Sequence, residues 1–288
     1  MATTIFCVVV LLPMVLVLPS AAQQPPADKG QGSGAASTKR PPQAKTPKEF
    51  ADYNAATAIT GGAAMEKAAN DFAAKYPNSE LRIHLYSKAM HEYQNENDPA
   101  KMLVIGRKML TLDPDNTIAL VLTATVLADS LKDSDKDHDE KMVEIKVNAD
   151  HALQTVDSAF AAPAQATPEQ IADYKNTLRS MAHSALGIME LKNSDDAGAE
   201  KDLKAAADLS KTQPDPYIWY HLALAQDHQE KYAEALASVD QALQYTGSNP
   251  DLGKLAAGER ERLAKLAKIK GGTSAPPPQP PPSNMPKQ

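Results

Sequence analysis

Cysteine is nearly missing from this 288-residue chain, and the one present, Cys7, lies inside an N-terminal apolar run. That run, Ile5 to Leu18, is followed by Pro19-Ser20-Ala21-Ala22. The pattern predicts a secretory signal over residues 1–22, cleaved after Ala22, although no Lys or Arg precedes the run. A mature chain starting at Gln23 would hold no cysteine, which removes disulfides, thiolate metal sites and cysteine nucleophiles together. Aromatic residues are scarce at 5%, with a single tryptophan and four phenylalanines, and strand-like alternation is almost absent. Basic charge is not in excess either: the formal net charge is −6 and the pI about 5.7, which excludes bulk attraction to nucleic acid or anionic lipid. No apolar run is long enough for a comfortable membrane span, since Ile5 to Leu18 is short and broken by Pro13, so no stable span is expected after cleavage.

Signatures of common catalysts are lacking as well. His91-Glu92 is followed by Tyr93-Gln94-Asn95, so there is no metalloprotease H-E-x-x-H, and Gly30, Gly32 and Gly34 open no helix that could cradle a phosphate. His84 with His91, and His221 with His228, are seven residues apart. On a helix that is about 10 Å, too far for two imidazoles to share one metal unaided. No enzyme class and no cofactor is indicated.

What the chain does have is helical spacing with regular punctuation. Residues 23–47 are rich in Gln, Pro, Gly, Ser and Ala and are read as a linker, and residues 271–288 contain a polyproline tract read as a disordered spacer tail. Charge is unevenly spread. Residues 23–50 balance at +3, 251–288 at +4 and 1–22 at zero, which leaves −13 on 51–250 out of the total of −6. Within that acidic body Ala, Leu, Met, Lys and Glu dominate, and breaks fall at Pro77, Pro114, Pro214 and Pro250. The first two lie 37 residues apart and the last two 36, while the 100 residues between Pro114 and Pro214 leave room for two enlarged units. Each interval fits two amphipathic helices.

These residues resemble the tetratricopeptide repeat family, in an exported bacterial form. The family's loose pattern is W-x₂-L-G-x₂-Y, then A-x₃-F, then P. Trp219, Leu222 and Ala223 match its first helix, with Gln226 in place of the aromatic residue; Tyr232, Ala235, Val239, Ala242 and Leu243 match the second. The preceding copy keeps Leu186-Gly187, Ala199, Leu203 and Ala206. An earlier one has Tyr86 and Tyr93 and closes on Leu112-Asp113-Pro114, and the first keeps Phe72 and the Tyr76-Pro77 exit. The resemblance implies an all-α, right-handed superhelical solenoid of about five helix–turn–helix repeats over 48–250, with a capping helix over 251–270. Leu252, Leu255, Ala256, Leu263, Leu266 and Ile269 would form the cap's apolar stripe. Small residues, Gly187, Ala199, Ala223 and Ala235, are expected where helices cross closely, with Trp219, Leu222 and Ala223 facing the paired helix.

The resemblance also implies where a partner binds: the concave face, lined by the first helix of each repeat. In the last repeat that stripe is Tyr217, Tyr220, Leu224, Asp227 and His228. Further back it is His84, Ser87 and His91, with Phe50 and Asn54 before them and Ile118 and Val121 after. The basic residues with which some repeats of this type clamp a terminal carboxylate are missing from these stripes. The expected partner is a protein or peptide segment, and the expected setting periplasmic or secreted. Alternatives are an envelope-assembly or cell-wall factor that positions an enzyme, a carbohydrate module using Tyr217 and Tyr220, and a calcium module. The calcium candidate is Asp133, Asp135 and Asp137 with Glu144 eleven residues after Asp133, the ligand spacing of an EF-hand. Against it, His138 stands where that loop needs Gly and Glu140 where it needs an apolar residue, so the segment is read as a turn in which Asp137 or Asp139 caps the next helix.

Overall fold

Helix starts are written plainly along this chain, and the computed structural model, which describes residues 42–161 and 166–271, follows them. Thr46, Asp98, Asn116, Thr167, Asp195 and Asp215 each precede a helix and accept a hydrogen bond from a backbone N–H of its first turn. Proline stands in the first turn of four of those six helices, where its missing N–H costs nothing. The elements are α1 (Pro47–Thr57), α2 (Gly62–Lys75), α3 (Arg82–Asn95), α4 (Pro99–Leu112), α5 (Thr117–Ser130), α6 (His138–Ala159), α7 (Pro168–Lys192), α8 (Asp196–Leu209), α9 (Pro216–His228), α10 (Tyr232–Gln244) and α11 (Pro250–Gly271), with a 3₁₀ turn at Thr246–Ser248. No strand occurs among the described residues.

Consecutive helices pack on one another throughout, and α5 also packs on α7. The turns between α3 and α4, α7 and α8, and α9 and α10 share one chemistry. Asn97, Ser194 and Glu230 take left-handed conformations at φ 55°, 60° and 58°, and the next residue donates its N–H five positions back: Asp98 to Tyr93, Asp195 to Glu190 and Lys231 to Gln226. This is the Schellman closure of a helix C-terminus, repeated in three helix pairs. Between α1 and α2 the positive φ, 86°, falls instead on Gly61, the N-cap residue of α2. The α5–α6 connection departs from it and runs through the acidic segment instead.

Small residues allow the close crossings. A Cβ on Gly187 of α7 would lie 2.6 Å from Leu203 Cγ and 3.1 Å from the Leu203 backbone nitrogen on α8, so only hydrogen fits there. Leu203 is itself fully buried, which contributes roughly 2 kcal/mol. Ala199, Ala223 and Ala235 are likewise fully buried. One large apolar cluster extends from Tyr53 to Ala225 and a smaller one joins Ala223, Ala235 and Val239 to Ala256 and Leu263 of α11. Two expectations need correcting. Trp219 and Leu222 pack with the cluster that contains Ala199 and Leu203 of the preceding pair, and of the three residues expected to face α10 only Ala223 packs with Ala235 and Val239. On α11, Leu252, Ala256 and Leu263 are buried as expected, but Leu255 is exposed, because 252, 256 and 263 already complete the stripe that meets α10.

Candidate functional site

Helix α5, TIALVLTATVLADS, is apolar on nearly every side and buried accordingly. Among its few polar residues are Thr125 and Asp129, four residues apart and therefore on one stripe. Opposite them α7 presents Thr177, Met181, Ser184, Ile188 and Lys192, at spacings of four, three, four and four. The start of α9 adds Tyr217, Ile218 and His221, and the α8–α9 loop closes one end through Asp215. Together these side chains line a cleft of about 280 Å³ between α5, α7 and the start of α9.

Hydrogen bonds give the cleft its chemistry. The Lys192 ammonium donates to the carbonyls of Ala128 (2.7 Å), Asp129 (2.8 Å) and Leu131 (3.1 Å), which caps the negative end of α5. All three of its protons are thereby engaged, and burial lowers its pKa despite the attraction of Asp129. Ser180 Oγ donates to the Ala206 carbonyl at 2.8 Å and Thr177 Oγ1 to that of Asp173 at 2.9 Å. Asp215 accepts from the Tyr217 N–H and so caps α9. Burial holds His221 down at about 4 and hence neutral near pH 7; its Nδ1 donates to the Tyr217 carbonyl at 2.9 Å, leaving Nε2 with a lone pair. Thr125 Oγ1 is buried with no partner. Burial pushes the Asp129 carboxyl up to about 7; Lys192 pulls it down and the like charge of Asp215 pushes it up. No side-chain hydrogen bond to the Asp129 carboxylate occurs among the described residues.

Of the residues expected at the partner site, only Tyr217 lines this cleft, and Asn249 donates to its hydroxyl. Tyr220 packs on the α10–α11 cluster, and burial raises its pKa. Asp227 is paired with Arg262 of α11, and His228 with Asp196 at 2.8 Å. Leu224 is half-buried. His84, Ser87 and His91 sit half-buried on α3 outside the cleft, and burial lowers the pKa of His84. Farther along the expected groove, Phe50 and Asn54 are exposed, but Val121 is fully buried because α5 has neighbours on its flanks in α4, α6 and α7. Thr125, Asp129, Ser184, Lys192 and His221 were missed. Asp129 did leave a signal, as the only carboxylate in an apolar helix.

The acidic segment takes another form. Lys141 bridges Asp135 (2.9 Å) and Asp137 (3.0 Å) and holds both carboxyls below their usual range. The lengthened turn is present and Asp137 stands at the N-cap of α6, but neither Asp137 nor Asp139 supplies a side-chain capping hydrogen bond. Glu144 turns to α4 and meets Arg107 in a two-pronged pair at 2.6 and 2.8 Å. Among the described residues no three His, Cys, Asp or Glu side chains converge to hold a metal ion, and no helix is long and apolar enough to cross a membrane. No family model matches this sequence, and no curated protein is significantly similar to it.

Proposed function

We propose that this protein is a non-catalytic interaction scaffold of tetratricopeptide type, a right-handed superhelix of about five repeats that holds a polypeptide segment in its concave groove. The pairs would be α1–α2, α3–α4, α5–α6, α7–α8 and α9–α10, with α11 as the cap. The observation that carries this reading is the cleft itself, which lies between the first helices of three successive pairs, where the resemblance puts partner binding. The recurrent Schellman turns support a common repeat unit. Because α11 already engages Tyr220 and Asp227, binding centres on α5, α7 and the start of α9. The apolar run over residues 5–18 supports export to the periplasm or beyond, and falls outside the described residues.

Site-specific photo-crosslinking in the native cell envelope tests the reading. A benzophenone side chain at Ser184, in the cleft, should capture a defined polypeptide that the same probe at exposed Val143 of α6 does not. Equal capture from both positions, or capture only from Val143, would contradict it. N-terminal sequencing of the same preparation should begin at Gln23, and an intact Met1 would remove the export claim.

A further inference from the structure

We propose that the cleft receives one ammonium or guanidinium group, borne by a lysine or arginine side chain of the bound polypeptide, with the Asp129 carboxylate as its counter-charge. This rests on the groove-binding reading above. Polar groups without partners stand in the walls of the cleft. Asp129 has acceptor oxygens and no side-chain hydrogen bond, Thr125 Oγ1 is buried without a partner, and His221 retains the Nε2 lone pair. The obvious donors are engaged elsewhere. Lys192 is fully occupied by three carbonyls, and Ser180 and Thr177 point their protons at backbone. The hydroxyls of Thr125 and Ser184 can donate or accept, so the Asp129 carboxylate decides the preference, and a charged donor gains most against it.

Charge points the same way. Among the lining residues described, Asp129 and Asp215 are the carboxylates and Lys192 the cation; nearby, the α5–α6 loop adds Asp133 with Lys132, and Asp135 already paired with Lys141. The sum is negative, so a ligand carboxylate would meet repulsion. Shape narrows the choice further. A volume of about 280 Å³ has room for one lysine or arginine side chain. Met181, Ile188 and Ile218 supply apolar wall for the methylene stem of lysine or arginine while the charged head reaches Asp129.

The same geometry makes binding depend on pH. Desolvation in the cleft pushes the half-buried Asp129 carboxyl up to about 7, Lys192 opposing and Asp215 adding to it, while His221 stays neutral. A bound cation requires the ionised carboxylate, so a proton leaves as the ligand enters. Affinity should rise roughly tenfold between pH 6 and pH 8, as the ionised fraction climbs from about a tenth to about nine tenths.

The test is a selection of random twelve-residue peptides on the mature chain, with the strongest binders remade synthetically and followed by the fluorescence of Trp219, the only tryptophan. Selected peptides should share a lysine or arginine. Replacing it by norleucine should weaken binding at least tenfold, and Asp129→Asn should do the same to the unaltered peptide and abolish the pH slope. Tight binders that lack a basic residue, or tolerate norleucine, would overturn the inference and leave groove binding standing. Cadaverine that binds through Asp129 where no peptide is selected would keep the ammonium assignment, make a free amine its source and remove the polypeptide reading. Binding of neither probe would overturn both.

Discussion

Replacing Asp129 by asparagine keeps its size, exchanges one acceptor oxygen for an NH2 donor and removes its charge, so its effect on stability should depend strongly on pH. Burial raises the folded-state pKa to about 7 from an ordinary value of 3.8. A carboxyl whose pKa is raised on folding holds more protons in the folded than in the unfolded chain, so stability falls as pH rises through the window between those values. The penalty is absent below about 3.8 and fully present above about 7. Three units at 1.36 kcal/mol each set a ceiling of about 4 kcal/mol. The cleft is open to water, and screening there reduces the expectation to about 2 kcal/mol. Glu190, also pushed up to about 7 by burial, gives a slope of the same sign, which cancels when variant and parent are compared at each pH. Urea titrations followed by circular dichroism at pH 4, 5, 6, 7 and 8 provide the comparison. Asp129→Asn should exceed its parent by about 2 kcal/mol at pH 8, the margin closing towards pH 4. A margin independent of pH, or one that widens as pH falls, would refute the placement of this carboxyl.

Other consequences are simpler to measure. Glu230→Gly should raise stability by about 1 kcal/mol, because Glu230 holds φ 58° at a helix end where glycine meets no Cβ penalty; a loss of stability would contradict the turn geometry. Tyr220→Ala should cost about 2 kcal/mol by opening the α10–α11 cluster while leaving peptide affinity in the cleft unchanged, and the reverse outcome would return Tyr220 to the partner site. Millimolar calcium should leave the melting temperature unmoved, since Arg107 holds Glu144 and Lys141 holds Asp135 and Asp137. A micromolar isotherm lost on Asp133→Ala and Glu144→Ala would show otherwise.

Much of the helical architecture was legible because it is encoded locally. The caps Asp98, Asn116, Thr167 and Asp215, the first-turn prolines, and the small residues Gly187 and Ala235 all act over a few positions, and a single sequence displays them. The cleft was legible only through Tyr217. An amphipathic helix announces which face is buried, but α5 is apolar all round, so nothing in its pattern says that Thr125 and Asp129 look towards α7 and α9. The contacts that Tyr220 and Asp227 make with α11 were illegible for a related reason. Their spacing on α9 is correct, yet whether α11 covers them depends on where Arg262 and Leu263 fall across a different helix, which periodicity along α9 does not record.

The central claim is that the cleft between α5, α7 and α9 holds the partner, and blocking it is the most direct test. Ser184→Trp places an indole where Ser184 lines the cavity, while Val143→Trp adds the same group to the exposed face of α6. Peptides selected on the parent chain should be titrated against both variants, with helicity checked by circular dichroism. The account predicts at least a hundredfold loss of affinity for Ser184→Trp and none for Val143→Trp, both chains remaining helical. Unchanged affinity in a folded Ser184→Trp protein, or a loss confined to Val143→Trp, would contradict it.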